Sequence, residues 1–313
     1  MEKPQASRSV KGRATLDKQI RGSQNMATSQ SHTLGEFIGA FFEDLMKKPI
    51  RDFAVRNGLY FDSFGVRKAR DSKKVTWVDI HGSKHDLDFV IEKGGSDDQM
   101  GEPVAFIELA WRRYTKHSKN KAQEISGAVD PICENYKMQK PFKGAILSGQ
   151  FTDSAIQQLK DDDFHVLYIP FEKIVSAFSL HGLDIDYGES TRESEIRKKF
   201  TAVSKKSNRM LIEAVRNTLL RDCRREISRF VSELTASYRR KIKTICILPL
   251  HGKRTEMADV VSAINFLNGY ARIPLGARLE YIEIVVIYNT GTRIHGQFKE
   301  RAEAVEFLTH IQD

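Results

Sequence analysis

Apolar side chains recur every three or four residues after the first thirty positions, which predicts an amphipathic helix over residues 33–46. They are Leu34, Phe37, Ile38, Phe41, Phe42 and Leu45. Lys47, Lys48 and Pro49 follow directly. We expect the helix to end there, because proline removes a backbone donor and disrupts the preceding turn.

The next apolar runs are short, as strands are. Residues 75–80 and 87–91 flank a polar turn at 81–84 and predict a hairpin, and further strands are predicted at 103–111, 143–149 and 164–169. Helices are predicted at 115–129, capped by Thr115 and stopped by Pro131, and at 153–160 and 171–178. This order of elements predicts an α/β core, in which helices flank a mixed central sheet.

A helical period of apolar residues then runs from Glu195 to Tyr238 and predicts one very long helix, or two. Unbroken, its 44 residues would span about 66 Å at about 1.5 Å per residue. The same stripe is also compatible with the seam of a coiled-coil dimer.

The last part of the chain predicts a strand at 243–249, a helix at 256–270, a hairpin at 279–298 and a helix at 300–311. The expected organisation is therefore a disordered basic tail (1–31), an α/β domain (32–190), a long basic helical segment (191–242) and a small α+β domain (243–313). Met26 is an alternative start, because nothing before it has the pattern of a folded segment.

Composition excludes several classes of protein. In 313 residues there is no apolar stretch approaching the roughly 18 needed to cross a membrane, and residues 1–31 lack the apolar centre of a secretory signal. The cysteines, Cys133, Cys223 and Cys246, are far apart, so neither a disulfide framework nor a structural zinc site is indicated. No GxxxxGK[ST] loop supports nucleotide hydrolysis. A reducing cytoplasm is the expected compartment.

The formal net charge of +9 is unevenly distributed. Residues 32–190 carry 21 basic and 25 acidic side chains, whereas residues 191–313 carry 23 basic and 14 acidic ones. An acidic middle followed by a basic final third favours an acid-rich site and a surface that binds a polyanion, although a solvated lysine-rich surface would give the same count.

Carboxylates in the acidic part occupy strand positions that can face one point. Asp86 and Asp88 are two residues apart and should project to the same face, and Glu108 lies late in the following apolar strand. Two or three such oxygens suit Mg²⁺, or Mn²⁺ in its place, with waters and a substrate phosphate completing the shell. Glu43 on the first helix could reach the same site, although a solvated helix face explains it better.

Chemistry on a phosphodiester also needs a cation beside the metal. The helix that follows the third strand offers two lysines. Helical spacing puts Lys121 on the stripe of Ile125 that packs on the sheet, so Lys121 is the first candidate and Lys119 the second.

The runs His85–Ile91 and Phe106–Trp111 resemble the active-site strands of the PD-(D/E)XK nuclease superfamily, over roughly residues 33–180. The resemblance implies a restriction-endonuclease-like core, with Asp88 and Glu108 as its two acidic residues. Leu87 replaces the usual proline. Ala110 occupies the position of the usual lysine, which implies that the lysine has moved to the following helix.

By this resemblance, the expected function is Mg²⁺-dependent hydrolysis of DNA, double-stranded DNA first, in restriction or phage defence. Cleavage of both strands favours a homodimer, and the last domain would recognise a target or bind a partner protein. Two alternatives remain open: an inactive nuclease-fold scaffold or subunit that binds DNA, and a coiled-coil dimerisation protein whose acids are structural.

Several basic residues are candidates for contact with nucleic acid, and each is also compatible with a solvated surface. They are Arg112, Arg113, Lys116, Arg216, Arg224 and Arg225. Arg293 and His295 on the last hairpin could enter a DNA groove. His85 and His117 have no recognisable metal-ligand spacing, and surface positions are expected for both.

Overall fold

A computed structural model describes residues 30–188, 190–249, 253–270 and 281–311. The tail predicted at 1–31, including Met26, lies outside the described residues except for its last two positions. The expected mixed α/β architecture is confirmed: a central mixed sheet is flanked by helices.

Eleven strands lie within the described residues: β1 (Tyr60–Ser63), β2 (Val75–Val78), β3 (Lys84–Leu87), β4 (Phe89–Lys93), β5 (Glu102–Arg112), β6 (Phe142–Gly149), β7 (His165–Pro170), β8 (Ile242–Pro249), β9 (Thr255–Met257), β10 (Ile282–Tyr288) and β11 (Arg293–Phe298). The described helices are α1 (Gln30–Arg56), α2 (Ser118–Asn135), α3 (Asp153–Asp161), α4 (Phe171–Leu180), α5 (Glu193–Lys206), α6 (Arg209–Asp222), α7 (Arg224–Tyr238), α8 (Val260–Gly269) and α9 (Arg301–His310).

The central sheet has the order β1-β4-β5-β6-β7. β4 is antiparallel to both β1 and β5, and β6 and β7 continue the sheet in parallel from β5. Alternate residues of β5 face opposite sides: Ile107 packs with the helices on one face, and Phe106 packs with α2 and α3 on the other. Both faces are therefore covered, as the continuous apolar runs of these strands require.

Two predicted helix ends are wrong, and both were placed at a proline. α1 continues through Pro49 to Arg56, and α2 continues through Pro131 to Asn135. In each case the apolar stripe continues beyond the proline, and the buried residues Ile50, Phe53 and Ile132 keep the helix on the core. Thr115 begins a 3₁₀ turn ahead of α2 and is not its cap.

The predicted hairpin divides at Asp88. β2 pairs with β3 in a separate two-stranded sheet, whereas β4 begins one residue later and enters the central sheet between β1 and β5. The sequence prediction treated residues 87–91 as one strand and did not include β1. Asp88 therefore lies where the chain passes from one sheet to the other.

The prediction of one or two long helices over residues 195–238 is wrong, because the chain forms three. Asn208 caps α6 by accepting a hydrogen bond from the Leu211 backbone N–H at 3.0 Å, and a further break falls at Cys223. The apolar stripe is buried against the molecule's own sheet, with Val215, Leu219, Phe230 and Leu234 among its residues. These side chains therefore do not form the seam of a coiled-coil dimer.

The C-terminal part has a sheet of its own, in the order β11-β10-β8-β9. α8 and α9 pack against one face of it and enclose a separate apolar cluster. The predicted helix 256–270 is shorter, because residues 255–257 form β9 and Asp259 caps α8. The predicted hairpin forms at 282–298, and the part predicted at 279–280 lies outside the described residues.

None of the helices within the described ranges has both the length and the apolar character needed to span a bilayer.

A buried ionic cluster fixes the edge of the central sheet. The Arg67 guanidinium donates to Asp62 at 2.7 Å and to both oxygens of Glu92 at 2.6 and 2.9 Å. It also donates to the backbone carbonyls of Ser96 and Gln99. All three charged side chains are almost fully buried. Arg67 thereby connects β1, β4 and the loop that leads into β5.

Replacing Arg67 with Met should lower the free energy of unfolding by about 3–5 kcal/mol, because the buried Glu92 carboxylate would lose its cation and Asp62 would keep only Arg70. Urea denaturation at neutral pH, followed by circular dichroism, measures this. The exposed neighbour Lys68 is the matched control, and Lys68→Met should change stability by less than about 1 kcal/mol. Equal stabilities of the two variants would contradict the structural role of the cluster.

Candidate active site

Asp88 and Glu108 lie side by side at the point where the β4–β5 ladder ends. Phe89 pairs with Ile107, so Asp88 and Glu108 occupy the next positions along the two strands. The Leu109 backbone N–H donates to Asp88 Oδ2 at 2.7 Å, and the Asp88 backbone N–H donates to Glu108 Oε1 at 3.2 Å. Each carboxyl thus accepts a hydrogen bond from the backbone of the other strand, and the two strands hold the pair in place.

Burial dominates the electrostatics of this acid pair. Burial raises the pKa of Glu108 to about 8, and repulsion by Asp88 adds to the effect. It raises the pKa of Asp88 to about 6, although the hydrogen bond from Leu109 acts in the opposite direction. Ionising both of two adjacent carboxyls in a poorly solvated position costs a large free energy unless a cation is present. The pair therefore holds a proton near neutral pH or accepts a positive ion.

Lys121 is the lysine that α2 brings to the pair. Its charge lowers the pKa of both acids, and its side chain is 23% exposed. Its Nζ lies 3.0 Å from Glu124 Oε2 on the same helix. Lys119 is exposed at the start of the helix and does not influence the pair in this way. Of the two lysines, Lys121 is therefore the one whose charge acts on the acid pair.

Ala110, at the position where the resemblance implies a lysine, is 4% exposed and packs in the cluster that contains Ile125 of α2. It lies on the same face of β5 as Glu108, because the two are separated by one residue. A lysine here would project under α2, and Lys121 instead approaches from the helix itself.

Among the described contacts, none joins the Asp86 carboxylate to Asp88 or Glu108. Asp86 accepts hydrogen bonds from Lys74 Nζ at 2.6 Å and Thr76 Oγ1 at 2.7 Å on β2. These contacts lower its pKa, and its side chain is 44% exposed. The expectation that Asp86 and Asp88 share one strand face is wrong, because β3 ends at Leu87 and the chain changes sheets at Asp88.

The sequence prediction did not include a cation from α1. Glu43 and Lys47 form an ion pair of 2.7 Å one turn apart, and both influence the pKa of Asp88: Glu43 raises it and Lys47 lowers it. Lys47 was interpreted only as part of a helix end. The i,i+4 spacing of Glu43 and Lys47 was the available signal, and it becomes informative once the helix is known to continue.

The predicted histidines have structural or surface positions. His85 Nε2 lies 2.8 Å from Asp79 Oδ2, and this aspartate also accepts the backbone N–H groups of His81 and Ser83 in the β2–β3 turn. His117 is exposed in the 3₁₀ turn before α2.

Two of the arginines proposed for nucleic acid are used in packing. The Arg113 guanidinium lies over the rings of Phe171 at 3.7 Å and Tyr187 at 4.8 Å. Arg216 of α6 is bound to the Asp44 carboxylate of α1 and lies 3.3 Å from Glu213. Burial at both positions disfavours a role as a free phosphate contact.

The other four remain accessible. Lys116, Arg224 and Arg225 are exposed. Arg112 is one-third exposed and lies 3.9 Å from the same Glu124 oxygen that Lys121 contacts. Arg112 ends β5 and Lys116 lies in the 3₁₀ turn before α2, whereas Arg224 and Arg225 begin α7.

In the described part of the chain, no group of three or more His, Cys, Asp or Glu side chains is arranged to hold a metal ion. Mg²⁺ commonly binds through one or two carboxylates, with waters and substrate phosphates in the remaining positions. The Asp88–Glu108 pair satisfies that smaller requirement, since Glu108 is buried, Asp88 is half-buried, and the two adjacent carboxyls need positive charge. The donor set therefore fits a Mg²⁺ ion that is shared with a phosphate.

In comparisons with known proteins, the chain matches no family model, no curated protein and no solved structure.

The raised pKa of Glu108 makes stability fall as pH rises. Below its ordinary value of about 4.5 the carboxyl is neutral in both the folded and unfolded states, and between that value and about 8 only the unfolded state releases the proton freely. The free energy of unfolding of Glu108→Gln minus that of wild type should therefore be larger at about pH 8 than at about pH 5, by at least about 1.4 kcal/mol.

Urea denaturation of wild type and Glu108→Gln at the two pH values measures this difference. Glu102→Gln, an exposed site on the same strand, is the control and should follow wild type at both. A Glu108→Gln curve parallel to wild type would contradict the burial of a carboxyl with a raised pKa.

Proposed function

We propose that this protein is a Mg²⁺-dependent deoxyribonuclease with a restriction-endonuclease-like core, whose active site is Asp88, Glu108 and Lys121. The observation that carries the proposal is the adjacent pair of carboxyls, Glu108 buried and Asp88 half-buried, at the end of two antiparallel strands, with a lysine whose charge acts on both. A role in restriction or phage defence follows from the resemblance of the two strand motifs.

Asp88 and Glu108 would hold the ion. When bound, Mg²⁺ lowers the pKa of a coordinated water and neutralises charge on the phosphodiester. The protein's part is to keep the two carboxyls fixed through the hydrogen bonds from Leu109 and Asp88 N–H groups. Their burial weakens competition from water, which strengthens the attraction for a divalent cation.

Lys121 would orient the attacking water or stabilise the charge that develops on phosphorus. Its contact with Glu124 restricts the side chain near the pair. Arg112 and Lys116 lie in the segment between the end of β5 and α2, and they would hold neighbouring phosphates of the bound strand. Arg224 and Arg225 would add affinity that does not depend on sequence.

One observation favours an inactive DNA-binding scaffold as the second candidate. Ala110 stands where the resemblance implies a lysine. Among the described residues, no third acid joins Asp88 and Glu108 to form a metal-binding group. If Lys121 does not serve the reaction, the same fold and basic surface would bind DNA without cutting it. A homodimer, and a target- or partner-binding role for the C-terminal domain, remain part of either proposal.

Incubation of the purified protein with plasmid and phage DNA tests the proposal. Cleavage should require Mg²⁺ or Mn²⁺, stop with EDTA and fall by at least about a hundredfold in Glu108→Ala, because one of two metal ligands is lost. Glu102→Ala, on the same strand and exposed, should cut like wild type. Salt-sensitive DNA binding without metal-dependent cleavage would replace the nuclease proposal with the scaffold.

The two lysines provide a second test. Lys121→Met should reduce cleavage by about 10²-fold or more, as the loss of one stabilising charge does at other phosphoryl or acyl sites. Lys119→Met, two residues away and exposed, should retain most of the activity. Initial rates on the same plasmid measure both. The opposite ranking would assign the lysine role to Lys119.

A further inference from the structure

The C-terminal sheet has a second face that the nuclease proposal does not use. Alternate residues of β10, Ile284 and Val286 among them, point into the cluster under α8 and α9. The residues between them face the other side, where the structure has a cavity of about 270 Å³. Glu283, Val285 and Ile287 contribute to its wall from this strand.

The floor of this cavity is aliphatic. Leu248 of β8 pairs with Glu283 and lies diagonally across from Val285, and Ile287 follows on the far side of Val285 along β10. All three apolar side chains are half-buried. Small-molecule sites combine such a floor with a few placed polar groups, and sites for drug-sized ligands begin at about 300 Å³. A floor of this size and flatness suits a single heteroaromatic ring system.

Three charged side chains stand around the floor. Arg293 begins β11 and is exposed, and Arg254 approaches from β9 on the opposite edge of the sheet. Arg254 Nη2 lies 3.1 Å from Cys246 Sγ and 2.9 Å from Glu256 Oε1, which fixes its position. Guanidinium groups recognise phosphate and carboxylate oxygens in preference to neutral groups.

The third charge is an acceptor. Glu283 lines the cavity at the end opposite Arg293, and one of its oxygens lies 3.1 Å from His295 Nε2. A carboxylate at the edge of an apolar floor accepts hydrogen bonds from an amino group, as Glu and Asp do from the exocyclic amine of cytosine.

We propose that this cavity is a nucleotide-binding site. The base would lie over Val285, between Leu248 and Ile287, and its amino group would donate to Glu283. The phosphate would be held by Arg293 beside Ile287, and Arg254 would add positive charge from the opposite edge. A nucleotide combines the flat ring, the donor and the anion that these residues would recognise. The ligand could be a free nucleotide or one unit of a single strand. The site is separate from Asp88, Glu108 and Lys121, so it does not depend on the proposed cleavage.

Calorimetric titration of the full chain in EDTA, with dCMP, dAMP and dTMP as probes, tests the site. We expect dCMP and dAMP to bind about tenfold more tightly than dTMP, which presents a carbonyl to Glu283 where the others present an amine. Arg293→Gln should weaken all three by about tenfold, because it removes a charge-assisted contact to the phosphate. Glu283→Gln should remove the preference for dCMP over dTMP, since an amide both donates and accepts.

Arg301→Gln is the matched control, because Arg301 is an exposed arginine on α9, a helix that packs on the opposite face of the same sheet. It should bind all probes like wild type. Glu108→Gln should also bind them like wild type, so that failure of the nuclease proposal is distinguishable from failure of this one.

Two results with the nucleotide probes would overturn the nucleotide site: no binding of any probe at millimolar concentration, or equal affinities of Arg293→Gln and wild type. Two results with partial ligands would also overturn it: inorganic phosphate or deoxycytidine binding as tightly as dCMP. A trinucleotide that binds more tightly than dCMP and loses that affinity in Arg293→Gln would identify single-stranded nucleic acid as the source. Equal affinity would identify the free nucleotide.

Discussion

The structure depends on one pair of adjacent carboxyls, the buried Glu108 and the half-buried Asp88, at the end of neighbouring strands of one sheet. A carboxylate pair in this position is stable only with a proton or a cation, because water cannot solvate it well. The two acids accept hydrogen bonds from backbone N–H groups at the end of the β4–β5 ladder, where the strands separate. The chain also leaves the β2–β3 sheet at this point. The change of sheet at Asp88 therefore places its carboxyl beside Glu108.

The rest of the α/β core serves to hold that junction. α2 covers the face on which Glu108 lies and supplies Lys121, and α1 passes the same point with Glu43 and Lys47. On the other face, α5, α6 and α7 bury the apolar stripe that predicted one or two long helices or a coiled-coil seam. At the edge of the sheet, Arg67 holds β1 and β4 together through Asp62 and Glu92. The acids of the site therefore lie in a sheet that is packed on both faces and held at its edge by ion pairs.

Much of this could be predicted from the pattern of apolar residues, because strands buried on both faces and amphipathic helices have distinct periods. Tertiary packing decided the features that could not be predicted. Pro49 lies inside α1 because Ile50 and Phe53 continue its buried stripe, and helix propensity alone argues against that. Asp88 separates two strands whose residues read as one continuous run. Arg67 meets Asp62 and Glu92 across 5 and 25 positions of sequence, and no local pattern shows such a cluster.

Within the candidate site, the residues on continuous elements were the predictable ones. Glu108 in an apolar strand and Lys121 on the inward stripe of α2 both follow from periodicity. Asp86 was misplaced because its neighbour Asp88 changes sheets. Arg113 and Arg216 were assigned to nucleic acid on charge alone, and their burial against aromatic rings and Asp44 became visible only in the fold.

Calorimetric titration of Mn²⁺ in two buffers of different ionisation enthalpy tests the central claim most directly, since it detects both the ion and the proton that it displaces. We predict one ion per chain bound by wild type with net proton release near neutral pH, unchanged in Glu102→Gln and lost in Glu108→Gln. No binding at millimolar Mn²⁺, or binding by Glu108→Gln equal to that of wild type, would contradict the assignment of Asp88 and Glu108 as a metal site.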